Sequence, residues 1–131
     1  MANASNKFPV RALNNDMIPV MGSFAPNGSS AVDATSRLGK GWSVARTSAG
    51  LFTITFANVW AEMVSFTCSL QLATADDKFL IPGVYTAASK TITITVWDIS
   101  GAAATDVSAN ANNRIHFCAW FRNSAVPPSY G

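Results

Sequence analysis

Four stretches of this chain alternate apolar and polar residues with a period of two, and no helical pattern offsets them. Phe52, Ile54 and Phe56 alternate with Leu51, Thr53 and Thr55. Between Met63 and Leu72, one side carries Val64, Phe66, Cys68, Leu70 and Leu72, the other Met63, Ser65, Thr67, Ser69 and Gln71. Ile92, Ile94 and Val96 alternate with Thr91, Thr93 and Thr95, and Ile115, Phe117, Ala119 and Phe121 with Arg114, His116, Cys118, Trp120 and Arg122. Successive side chains on a strand point to opposite sides, so each stretch reads as a strand with one apolar and one mostly polar face. Closing the apolar faces on each other predicts an all-β, antiparallel β-sandwich, jelly-roll-like, with about seven or eight strands.

The chain has 131 residues, enough for one domain with a real core. Charged residues make up only 12% and hydrophobic residues 49%, which argues against disorder and leaves little charge to solvate a lone surface. A homo-oligomer or a subunit of a larger assembly is therefore expected. The net charge is +2 and the lysines and arginines are scattered, so no basic face for nucleic acid is expected. No apolar run approaches the roughly 20 residues of a membrane span, and the first residues lack a signal-peptide core. These features predict folding in a cytoplasm with reduced thiols. Cys68 faces with Phe66 and Cys118 with Trp120, so the two look away from each other.

Residues 1–16 are polar and irregular and read as an N-terminal arm; 17–124 form the sandwich; 125–131, with Pro127 and Pro128, form an extended tail. Met17 to Ala25 is predicted as a first strand that Pro19 and Gly22 bend or place at an edge. Gly41–Thr47 and Leu51–Ala57 flank Ser48-Ala49-Gly50, a hairpin with glycine at the left-handed position. Ala31–Lys40 is a loop with at most one helical turn. Lys78–Thr86 is an edge strand broken by Pro82-Gly83. Ser100–Asn113 is the longest gap and reads as a loop.

No residue pattern here points to catalysis or to a cofactor. His116 is the only histidine and sits mid-strand, away from any nucleophile-elbow motif. Asp76 and Asp77 are adjacent carboxylates, but turn neighbours point apart, so a solvated turn is expected there, with a calcium site as the remaining alternative. One histidine and two cysteines are too few for a structural zinc site. The chain is thus read as a non-enzyme without metal or cofactor. The tryptophans stand out instead: Trp97 and Trp120 both fall on the polar side of their strands, as interface anchors or sugar-stacking platforms. Arg114 and Arg122 flank Trp120 on its side, which suits cation–π contact with a partner.

Four segments carry a resemblance: GKGWSVARTSAGLFTITF from Gly39 to Phe56, SLQLATADDK from Ser69 to Lys78, KTITITVWDISGAA from Lys90 to Ala103, and NANNRIHFCAWFRNS from Asn110 to Ser124. Together they resemble small structural proteins of tailed-bacteriophage virions with a jelly-roll-like sandwich. The resemblance implies a capsid decoration (cement) protein on the outer capsid surface of the virion. It also implies two partners, the major capsid protein and further copies of the chain in a homodimer or homotrimer, with arms reaching across joints between subunits. Exposure logic then offers Lys7, Phe8, Pro9 and Arg11 of the arm, and Trp97, Arg114, Trp120 and Arg122 of the outward face, as partner-binding residues. The alternative is a tail-fibre receptor-binding tip or other glycan-binding module, with Trp97 or Trp120 as sugar platform and Asp98 beside it.

Overall fold

The computed structural model describes residues 17–60 and 62–122. The expected arm, tail and outer limits of the sandwich, including Lys7, Phe8, Pro9 and Arg11, lie outside the described residues. The strands are β1 (Met17–Phe24), β2 (Trp42–Ser48), β3 (Leu51–Phe56), β4 (Glu62–Gln71), β5 (Lys78–Pro82), β6 (Thr91–Asp98), β7 (Ala103–Ala104) and β8 (Arg114–Arg122). A three-residue 3-10 turn, Ala34–Ser36, interrupts the long β1–β2 connection. Among the described residues no helix is long and apolar enough to cross a membrane.

All pairings are antiparallel. One sheet has three strands in the order β1-β8-β4; the other has five, in the order β2-β3-β6-β5 with β7 added beside β6. The first and last strands are neighbours, and the chain changes sheet after β1, β3, β4 and β7. This is the predicted sandwich, and its core is the predicted alternation: Phe52, Ile54, Phe56, Ile92, Ile94, Val96, Ile115, Phe117, Ala119 and Phe121 are all buried between the sheets. Phe56 meets Phe121 edge-on at 4.7 Å between ring centres, and Tyr85 closes on both rings at 6.0 and 5.3 Å. Each such pair is worth about 0.5–1.5 kcal/mol beyond the area it buries.

The alternation fails at one place. A register shift between Met63 and Ser65 inserts an extra residue into β4. The bulge turns Met63 toward the core and leaves Val64 outside, 52% exposed, which reverses the expected sides of these two residues. From Phe66 to Gln71 the predicted sides hold.

Two glycines fix how the layers meet. Gly50 has φ +67°, and a side chain there would run into the Thr105 backbone. Gly22 leaves room for the Trp42 indole, which is buried and meets Phe117 edge-on at 4.8 Å. Trp60 stacks on Phe121 at 5.9 Å. Trp42 and Trp60 thus serve the interior, whereas Trp97 and Trp120 keep their expected outward side.

Candidate interaction faces

The expected contact residues do not share one surface. Trp97 lies on the outward side of the five-stranded sheet; Arg114, Trp120 and Arg122 lie on the three-stranded sheet, on the opposite side of the sandwich. The separation follows from strand pairing. β6 and β8 belong to different sheets, and their outward residues point in opposite directions.

On the five-stranded sheet the outward residues form cross-strand rows. Thr55 faces Thr91, and Thr53 faces Thr93. The next row is Leu51, Thr95 and Ile81; the last is Ala104, Trp97 and Phe79. Phe79 is 41% and Ile81 43% exposed, and Trp97 is half-buried between its neighbours. Phe79 and Trp97 stand directly opposite each other in register. None of these outward side chains is charged.

On the three-stranded sheet the rows are Pro19, Trp120 and Ser65; Met21, Cys118 and Thr67; and Ser23, His116 and Ser69. His116 Nε2 lies 3.0 Å from Gln71 Oε1 on the open surface. Arg114 and Arg122 also point to this side, but each is engaged within the chain. Arg114 Nη2 donates to Ser23 Oγ (2.9 Å) and to the Ser36 carbonyl (2.7 Å), pinning the 3-10 turn against β1. Arg122 is buried and ion-paired with Glu62 at 2.8 Å. Neither guanidinium stacks on Trp120; the one cation–π contact among the described residues sets Arg37 over Trp42 at 5.8 Å.

The remaining charge sits in the loops. Arg46 Nε and Nη2 donate to both oxygens of Asp106 at 2.9 and 2.8 Å, and the Gly50 N–H donates to the same carboxylate at 2.9 Å. The Arg46 guanidinium thereby holds the Asp106 carboxyl below the usual carboxylate range, and Asp106 raises Arg46 in return. This clasp ties the β2–β3 hairpin to the β7–β8 connection. Sequence reading missed it because the partners are 60 residues apart. Asp76 pairs with Lys78, the Ser100 N–H donates to Asp77 at 2.9 Å, and Asp98 accepts from Ser100 Oγ (3.0 Å) and the Gly101 N–H (3.2 Å). Hydrogen bonds from Gly101 and Ser100 hold Asp98 below its ordinary range. The Asp76-Asp77 turn is thus a loop tie. No three His, Cys, Asp or Glu side chains among the described residues converge as a metal site.

An open cleft of about 550 Å³ runs between residues 72–78 and 106–113. Its wall is fastened by Asn113, which is buried, accepts from the Ala73 N–H at 2.7 Å and donates to the Ser108 carbonyl at 3.0 Å. Cys68 packs against the core and Cys118 looks outward; both are free thiols.

No protein-family model matches the chain, and neither a curated protein nor a solved structure does.

Proposed function

We propose that this chain is a structural, non-catalytic subunit that coats a tailed-phage capsid: a decoration protein that binds the outside of the major capsid protein shell and stabilises it. One observation carries the reading. The described rows of the five-stranded face hold no charged side chain and expose Phe79 and Ile81 beside the outward Trp97. Interface cores are depleted in charge and enriched in aromatic residues, so a face of this kind suits contact with another protein surface. Copies repeated over a shell add their weak contacts. The strand motifs from Gly39 to Ser124 point the same way by resemblance. In this reading Trp97, Phe79 and Ile81 meet the shell.

The sugar-platform alternative would use Asp98 beside Trp97: its Oδ1 accepts from Ser100 and Gly101, and Oδ2 is the group such a site would present.

Co-sedimentation with undecorated capsids tests the proposal. Saturable binding and a rise in the temperature at which capsids lose their DNA are expected, and Phe79→Lys abolishes both. Absence of binding at saturating protein contradicts the role.

A further inference from the structure

The counts of histidine, cysteine and carboxylate that speak against a metal leave out methionine sulfur. Met21 brings a thioether to the side of the three-stranded sheet that carries the sole histidine and an outward free thiol. Met21 stands directly opposite Cys118 in register, and His116 lies two residues along β8 from Cys118 on the same side. Opposed Cβ atoms on a sheet are about 4.5–5.5 Å apart, and residues two apart on one strand about 7 Å. Donors on one ion lie within about 4.5 Å of each other, since metal bonds to sulfur and to imidazole nitrogen are roughly 2.0–2.3 Å. The unbranched Met21 side chain, 54% exposed, has the rotatable bonds to close that difference. His116 lines two shallow hollows of this surface, one with Met21 and one with Cys118.

The imidazole is already set for such a role. Gln71 Nε2 donates to the Asn112 carbonyl at 2.9 Å, so the amide oxygen is the atom turned to His116. That oxygen only accepts, so His116 Nε2, 3.0 Å away, is the donor. The neutral ring then carries its lone pair on Nδ1. An outer partner that holds the proton of one ring nitrogen is the usual support for a histidine that binds metal through the other. We infer that Met21 Sδ, His116 Nδ1 and Cys118 Sγ form a three-donor site for a soft monovalent ion, Cu(I). Thiolate and thioether sulfur select this ion, and imidazole accepts it. Charge narrows the choice further. Arg114, two residues from His116 on the same side, keeps its charge, since its hydrogen bonds go to the neutral Ser23 hydroxyl and Ser36 carbonyl. A monovalent ion on the Cys118 thiolate is neutral beside it, whereas a divalent ion adds a second positive charge. Binding releases the Cys118 proton to solvent, and no electron moves. The site goes beyond the capsid role, and either can fail without the other.

Anaerobic titration of the reduced full chain with Cu(I) against a coloured Cu(I) chelator tests it, read together with X-ray absorption of the loaded protein and ring-nitrogen NMR of the metal-free chain. The expected result is one ion per chain, bound by two sulfurs and one nitrogen, with the His116 proton on Nε2 before loading. Cys118→Ser, at an outward position, loses the ion, and Cys68→Ser, on the inward side, keeps it. Met21→Leu, also outward, weakens binding several-fold and leaves one sulfur on the ion. A chain that yields all its Cu(I) to the chelator, or an ion that Cys118→Ser still holds, overturns the inference. So does a single sulfur on the ion in the unaltered chain, or a metal-free His116 with its proton on Nδ1.

Discussion

The two outward faces handle charge differently. The described rows of the five-stranded face hold threonine, leucine, isoleucine, alanine and two aromatic residues, and no charged side chain. The three-stranded face carries two arginines from its central strand: Glu62 compensates Arg122, whereas Arg114 keeps its charge and is held in place by Ser23 and the Ser36 carbonyl. The first arrangement depends on no fold-level contact. The second lasts only while β1, β4 and the 3-10 turn are in place. A perturbation that loosens β1 should therefore release Arg114 and leave the other face unchanged.

Removing the shared interior gives the largest effect. Phe56 touches Tyr85, Phe117 and Phe121, and Phe56→Ala should cost about 3–5 kcal/mol in urea unfolding, abolishing both faces together. A cost below 1 kcal/mol would mean that the sheets do not close on this ring.

Gly22→Ala separates the faces. A methyl group at residue 22 collides with the Trp42 indole beneath β1, so a loss of about 1–3 kcal/mol is expected. Trp42 fluorescence should shift, and hydrogen exchange should quicken first in β1. Equal loosening of β6 would contradict the independence of the faces.

The Arg46–Asp106 clasp is the corresponding point on the five-stranded side. Asp106→Ala removes the shared partner of the Gly50 N–H and the guanidinium, and a lower urea midpoint is expected. Hydrogen exchange should rise in the β2–β3 turn and in residues 103–107, with β1 and β8 unaffected.

Acid should act on the loops before either face. Hydrogen bonds lower the carboxyls of Asp33 (from Thr35), Asp76 (from Lys78), Asp98 (from Gly101) and Asp106 (from Arg46). Folded values below an unfolded value of about 3.9 mean that the stabilisation is fully present above that pH and fades as pH falls through the folded values. Tm should be flat on this account above about pH 5 and fall below about pH 4. A Tm that rises on acidification would contradict these ties.

The smallest effect separates surface from support. Ala45→Lys should change stability by no more than about 0.5 kcal/mol, because its side chain stands in solvent.

Much of this architecture was legible in the chain because a strand's periodicity is local. Phe52 to Phe56, Ile92 to Val96 and Ile115 to Phe121 declare their buried sides, and Gly50 declares the hairpin. The sides of Met63 and Val64 were misread because a bulge leaves no mark on periodicity. The grouping of outward residues was not legible at all. Trp97 and Trp120 look alike in sequence, and only the pairing of β8 with β1 and β4, and of β6 with β3 and β5, sends them to opposite surfaces. Engagement was equally hidden: Arg114 reads as a free cation until Ser23, 91 residues away, is brought beside it.

Hydroxyl-radical footprinting of the chain, free and bound to capsids, tests the capsid-facing role of the five-stranded sheet most directly. Trp97, Phe79 and Ile81 should lose reactivity on the capsid. Equal reactivity of these residues with and without capsids would contradict it.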